Sequence, residues 1–239
     1  MADTQDTKTN KESKQEAKDI SHLQEFFDAG VHFGHIKSAV HPKMFPYIFS
    51  TINNTHFINI EKTSEKLEEA LTFLRECKEQ NKKILFVGTK FPVRESVQKS
   101  AQETGMFFIT TYWPGGFLTN WNTVRDGIEH FKKLEDLQKS PEWEKYTKQE
   151  RALMSRDLEK LRSRWEGVRD MGGLPDAMVL VDVHGDAIAA QEARKKGIPL
   201  VAIVDTNSNP DVVDYPIPAN DDALSSVSLI LSKIVGALK

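Results

Sequence analysis

The side chains best suited by type to do chemistry gather between residues 171 and 222. Two short apolar runs, Ala177–Val181 and Leu200–Val204, each end in an aspartate, Asp182 and Asp205. His184 follows the first run; Asn207, Asn209, Pro210, Asp211, Asn220, Asp221 and Asp222 follow the second. Carboxylates at strand ends can hold a divalent metal and activate water, the chemistry of a metal-dependent hydrolase. Asp and Asn also build turns and helix caps, and each of these acids has such a role open to it.

A second set is basic. Residues 30–47, GVHFGHIKSAVHPKMFPY, mix Gly, Pro and aromatics with Lys37 and Lys43. That mixture suits contact with a nucleic-acid backbone, or an ordinary surface loop. His32, His35 and His41 invite a metal reading, but no cysteine joins them and their spacing matches no familiar site. Gly88-Thr89-Lys90 resembles half a phosphate loop; the full G-x-x-x-x-G-K-[ST] pattern is absent, so a nucleotide hydrolase is not supported. Lys90 and Arg94 beside a helix start can still hold a phosphate of a larger polymer, or simply line a βα turn. In TTYWPGGFLTN, Trp113 and Phe117 either pack beneath the loop or stack on a base. There is no nucleophile elbow and no G-x-G-x-x-G.

These residues need elements to hold them. The two apolar runs lack alternation, so they read as parallel strands buried on both faces. Between them Asp186–Lys196 reads as a helix stopped by Gly197 and Pro199, which makes a βαβ unit. Lys83–Val87 and Met106–Ile109 read as two more strands, around a helix at 92–104 that Gly105 stops. Ahead of them a short helix, capped by Ser21, turns Leu23, Phe26 and Phe27 inward and ends at Gly30. Tyr47–Ile60 reads as a hairpin turning at Asn53-Asn54. The next helix, Thr63–Gln80, has a stripe of Leu67, Ala70, Leu71, Leu74 and Cys77, which makes Cys77 a core residue.

Two long charged helices, Asn120–Gln138 and Lys148–Val168, flank Ser140-Pro141. The second carries Met154, Leu158, Leu161, Trp165 and Val168 at coiled-coil spacing. Together they read as an antiparallel hairpin inserted between the second and third parallel strands. Most of its charges form a solvated face; Arg125, Lys132, Arg162, Arg164 and Arg169 are candidates to touch a partner. A last helix, Asp221–Leu238, is capped by Asn220 and faces the sheet with Leu224, Val227, Leu231, Ile234 and Leu238. The chain thus divides into a polar, disordered tail at 1–20, a first α/β part at 21–119, the inserted hairpin at 120–170 and a second α/β part at 171–239.

Composition bounds the classes. At 239 residues, 39% hydrophobic and 28% charged, the chain can bury an ample core. A net charge of -3 gives no overall basic signal, though it can hide a local basic face. The single cysteine, Cys77, forbids an intrachain disulfide and fits a reducing compartment. No apolar run approaches the ~20 residues of a membrane span, and the N-terminus reads as no signal peptide, so the cytoplasm is the expectation.

The blocks FFDAGVHFGH, HPKM, FVGTK, GGFLTN, RDMGGLPDA, EARKKGIP, AIVDTNSNPD and YPIPANDDA stand in the order found in the bacterial type of the small ribosomal subunit protein two family. The chain is similar to that family from about His22 to near its C-terminus. The match includes the aromatic-Gly-His segment ending at His35 and the Pro175–Pro199 segment with Glu192. The resemblance implies a flavodoxin-like parallel sheet flanked by helices, with a projecting coiled-coil hairpin. It implies a structural, non-catalytic role on a cytoplasmic or an organelle ribosome. The expected partners are small-subunit ribosomal RNA near the junction of head and body and neighbouring proteins, among them ribosomal protein one, with late entry into assembly. No membrane, homo-oligomer or obligatory cofactor is implied; zinc is associated with some members, without a ligand set to carry over.

The family's usual Arg and Trp before Pro42-Lys43 are here Lys37-Ser38-Ala39-Val40-His41; its Arg after Lys90 is Phe91-Pro92, and its Arg before Trp113 is Tyr112. The RNA contact set implied is Lys37, Lys43, Lys90, Arg94, Trp113, Asn120 and Arg125. Reversing the charge of Lys90 and Arg94 is then expected to weaken incorporation without much loss of melting temperature. The alternatives are the metal-dependent α/β hydrolase on Asp182 and Asp205, and a regulatory module that binds partners through the hairpin.

Overall fold

The computed structural model describes residues 23–239. The tail expected at 1–20 and the cap assigned to Ser21 lie outside the described residues. Helical residues 23–28 (α1) bury Phe26, and Gly30 closes them at φ +73°. Phe27, expected to face inward, is 59% exposed. Adjacent helix positions point about 100° apart, so a short helix that buries Phe26 turns Phe27 out.

Three antiparallel strands follow, β1 (Phe33–Ile36), β2 (Ile48–Ile52) and β3 (Thr55–Ile58), in the order β1-β3-β2. The β2–β3 turn is the expected one, with Asn53 and Asn54 at φ 49° and 66°, as a tight hairpin requires. β1 corrects the loop expected at 30–47. It pairs Phe33 with Phe57 and Ile36 with Thr55, and short 3-10 turns at Lys37–Ala39 and Pro42–Tyr47 complete the segment. A glycine is needed in β1, because a Cβ on Gly34 would lie 2.6 Å from Thr206 Cγ2.

Helix α2 (Ile60–Glu79) is capped by Asn59, whose Oδ1 accepts from the Glu61 and Lys62 amides. Its buried stripe is the expected one, Cys77 included. Then come β4 (Ile84–Val87), α3 (Arg94–Thr104), β5 (Phe107–Ile109), α4 (Trp121–Lys139), α5 (Lys148–Trp165), β6 (Ala177–Leu180), α6 (Ala187–Lys196), β7 (Leu200–Val204), β8 (Tyr215–Pro218) and α7 (Leu224–Leu238). The five strands β4 to β8 are parallel, in the order β5-β4-β6-β7-β8. Numbered within this sheet the order is 2-1-3-4-5, the flavodoxin-like arrangement, whose strand order reverses between β4 and β6. No strand is expected from sequence at β8. Its Tyr-Pro-Ile-Pro is unlike a central strand, and an edge strand tolerates proline.

The strands of β4, β6 and β7 are buried on both faces. Ile84, Phe86, Val179 and Ile203 pack with α2, α3 and α7; Leu85, Val87, Met178, Leu180 and Ala202 pack with α4, α5 and α6. Each fully buried Leu, Ile or Phe contributes roughly 1.5–3 kcal/mol.

α4 and α5 pack against each other. Arg162 reaches Glu135, while Trp165 lies against Gly127, so numbers rise along one helix as they fall along the other. The pair is antiparallel. Val124, Ile128, Phe131, Leu158 and Trp165 are buried, whereas Met154 near the tip and Leu161 between two buried positions are only half-buried. Helix α5 ends at Trp165 and continues to Val168 as a 3-10 turn, because Gly167 must pass close to Phe108. Helix α7 begins three residues later than expected. The Asn220 side chain caps the Asp222 and Ala223 amides ahead of it, and Leu224 is 49% exposed instead of facing the sheet.

Candidate functional site

The carboxyl ends of β4, β6, β7 and β8 converge at the point where the strand order reverses, the usual ligand position in such sheets. Here that position is filled by charged side chains. Lys90, just past β4, places its ammonium 2.8 Å from Asp221, 2.5 Å from Asp222 and 3.7 Å from Asp182. Asp182 also accepts from the Gly185 amide, and Asp186 from the Thr89 amide and hydroxyl. Asp205, 1% exposed, accepts from the amide and hydroxyl of Thr206 and from the Asp221 amide. His35 comes from β1 and bridges Asp205 at 3.1 Å and Asp222 at 3.4 Å.

The electrostatics follow from that crowding. Burial, with Asp182 and Asp205 nearby, pushes Asp221 up to about 7. Burial works against the Lys90 ammonium, yet Asp221 and Asp222 hold its pKa well above the usual lysine value. The hydrogen bond to Asp205 raises His35, and Lys90 lowers Asp222. Oδ2 of Asp221 is buried without a hydrogen-bond partner among the described residues.

The seven residues of the expected contact set fall in different settings. Lys37 is exposed and free of side-chain partners among the described residues. Lys43 pairs with Asp211. Arg94 donates to the Thr89 and Thr111 carbonyls, at 2.7 and 2.9 Å, and thereby ties the loops after β4 and β5 together. The Trp113 indole donates to Glu192. Asn120 is exposed at the start of α4, and Arg125 is exposed with Asp126 and Glu129 beside it. Lys90 and Arg94 are thus engaged inside the fold, while Lys37, Asn120 and Arg125 face solvent. Of the other hairpin cations, Arg162 and Arg169 lean on buried Glu135, Lys132 on Asp170, and Arg164 lies over the Tyr112 ring.

The three histidines also part company. His32 is buried, stacked on Phe27 and tilted against Phe33, and His41 caps the Lys43 amide; of the three only His35 meets carboxylates. Two buried acids outside the expected contact set carry structural weight. Glu192 accepts five hydrogen bonds from the turn at residues 113–119, and Glu135 holds its two arginines. A signal for both was present: each breaks an otherwise apolar or small-residue helical stripe, Ala189-Ala190-Ala193 for one and Val124-Ile128-Phe131 for the other.

Comparison with known proteins decides the family. A family model described as Ribosomal protein S2 matches residues 26–239. The chain belongs to the ribosomal protein S2 family. It is 45% identical over 216 residues to the small ribosomal subunit protein uS2c of Rhodomonas salina, covering 90% of this chain and 89% of that one. It is 45% identical over 217 residues to the uS2 protein of Tolumonas auensis, covering 91% and 90%. An S2 chain is a structural component of the small ribosomal subunit and not an enzyme. The hydrolase alternative finds no support in these relatives. The donors present fit a divalent ion such as zinc: His35, Asp205 and Asp222 each offer a ligand atom within 4.8 Å of the others.

Proposed function

We propose that the chain binds small-subunit ribosomal RNA through its solvent-facing cations, enters the subunit late in assembly and helps seat ribosomal protein one. The observation that carries the RNA reading is the division among its charged groups. The acids at the strand ends are paired internally with Lys90 and His35, while Lys37 and Arg125, with polar Asn120, lie exposed on the surface. Phosphate contact is assigned to Lys37, Lys43, Asn120 and Arg125, with Lys90, Arg94 and Trp113 supporting the loops from within. Exposed Lys133, Arg156, Arg194, Lys195 and Lys196, free of side-chain partners among the described residues, add phosphate-binding capacity. A net charge of -3 is compatible with this because only part of the surface meets RNA.

The protein partner has its own support. A groove of about 880 Å³ lies between α1 and the small sheet, lined by Phe27, Phe33, Phe49, Ile52 and Phe57. Phe49 is 75% exposed. An apolar face of this kind suits a protein segment and not a phosphate backbone. A zinc ion on His35, Asp205 and Asp222 would cross-link β1 to the loops after β7 and β8, a structural role.

The test is sedimentation of the tagged full chain through sucrose gradients at moderate and high salt. Co-migration with small subunits at moderate salt is expected, reduced in Lys37→Glu/Arg125→Glu. Phe49→Ser is expected to keep co-migration and lose ribosomal protein one. A chain at the top of the gradient in both salts would overturn the reading.

A further inference from the structure

Beyond its apolar packing with the sheet, the α4–α5 pair is tied to the α/β body at two places. One is at the end of α5, where Gly167 packs on Phe108 and the Thr111 hydroxyl donates to the Ser163 carbonyl at 2.7 Å. The other is the turn that leads into α4. A body held at one point pivots about it; two separated points fix its direction.

We propose that Glu192 is the positioning residue that sets the pose of the α4–α5 pair on the sheet, acting as an internal anion for the turn at residues 113–119. Glu192 sits on α6, 7% exposed, with no cation paired to it among the described residues. Its Oε1 accepts from the Gly116 amide at 2.7 Å and the Trp113 indole at 3.2 Å. Its Oε2 accepts from the Leu118 amide at 2.9 Å and from the amide and hydroxyl of Thr119, both at 3.1 Å. Converging backbone donors of this kind form an anion-binding concavity. Gly116, at φ +86°, provides the backbone conformation that aims them inward.

The turn transmits this grip to the helices. Phe117, fully buried at its centre, sits 5.0 Å from the Trp113 ring, 5.8 Å from Trp121 at the start of α4 and 6.4 Å from Trp165 at the end of α5. Both helices therefore rest on a ring carried by the turn that Glu192 holds. Glutamine in its place would offer one oxygen and turn an NH2 group toward N–H donors, so the turn would separate from α6. The pair would then keep its anchor on β5 and its apolar packing, without the hold of the turn.

Double electron–electron resonance on the full chain tests this. Spin labels go on Lys148→Cys, at the far end of the pair, and Lys99→Cys on α3, while buried Cys77 stays in place. A narrow distance distribution is expected for the otherwise unchanged protein, and a broadened or shifted one for Glu192→Gln, with amide exchange in β4, β6 and β7 unchanged. The unchanged protein should broaden in acid, and the Glu192→Gln protein should show no such acid step. A Glu192→Gln distribution as narrow as the parent's would overturn the proposal. So would an equal loss of amide protection across the whole sheet, the mark of a merely structural role. Should Glu192→Gln fail to fold, Trp113→Phe/Thr119→Val removes two of the five donors and leaves the carboxylate in place. That variant must broaden the distribution in the same direction; an unchanged distribution sinks the proposal.

Discussion

Lys90 is surrounded by Asp182, Asp221 and Asp222, and its side chain is 26% exposed. Removing it leaves close carboxylates with His35 as the remaining cation of the cluster. Lys90→Met is expected to cost about 3 kcal/mol, as loss of one partner from a buried ionic group does. Lys90→Met/Asp221→Asn should recover part of that, which urea unfolding of both variants checks. Charge reversal of Lys90 and Arg94 should therefore lower the melting temperature, the opposite of what a pair of free phosphate contacts would give. Glu192 makes a second expectation. Burial raises the cost of its charge, but the amides of Gly116, Thr119 and Leu118 and the Trp113 indole hold its pKa below the usual carboxylate range. Its contribution is present above the unfolded value of about 4.3 and is lost as pH falls through the lower folded value. The acid limb of a stability–pH profile should flatten in Glu192→Gln. These roles were hidden in the sequence because the partners are far away along it: 131 residues separate Lys90 from Asp221, and 79 separate Glu192 from Trp113. Residue type announced a charge; only the fold says what neutralises it.

At the scale of elements, the legible parts were those whose own pattern decides the outcome. β6 and β7 are unbroken apolar runs, α2 carries its stripe, and the Asn53-Asn54 turn needs only its two residues. β1 and β8 were not legible, because Phe-Gly-His-Ile and Tyr-Pro-Ile-Pro become strands only when a neighbour pairs with them. Gly34 shows how such a strand is seated. The His35 amide donates to the Thr206 hydroxyl at 2.8 Å and the His41 amide to the Thr206 carbonyl at 2.8 Å, so this one threonine fastens the small sheet to the end of β7. Gly34→Ala drives a methyl into Thr206 and should cost about 1–3 kcal/mol by overpacking. Thr206→Ser removes the Cγ2 methyl and keeps the hydroxyl acceptor, so Gly34→Ala/Thr206→Ser should regain part of the loss. Thermal melts of both single variants and the double measure the coupling.

For the whole molecule, the internal pairing of the strand-end acids leaves the proposed RNA binding to surface cations, and that would have a salt signature. Lys37→Glu/Arg125→Glu should weaken binding to small-subunit RNA at every sequence tested. The salt slope should also fall by roughly 0.7–0.9 for each phosphate partner removed, which filter binding across a salt series reads directly. Mutating the groove at Phe49 should leave that slope alone, because an apolar surface releases no counterions. The two surfaces would then be separable: one read by salt, the other by retention of a protein partner.

The two prolines of β8 bear on how the chain survives before it finds a subunit. β8 pairs only with β7, so its other side is an edge of the parallel sheet; α2 covers one end, where the Thr63 hydroxyl donates to the carbonyl of buried Pro218, and Pro216 is left half-buried. The Ala219 amide donates to Val204 in β7; by strand alternation the nitrogens of Pro216 and Pro218 point outward. A second chain that tried to extend the sheet there would meet, at Pro216, a position with no hydrogen to donate. Pro216→Val restores that donor beside an already β-prone Ile217. On prolonged incubation of the free protein, light scattering should rise in that variant and stay flat in the parent. Synthesis in excess of ribosomal RNA is then tolerable, because the waiting chain carries its own guard against edge-to-edge aggregation.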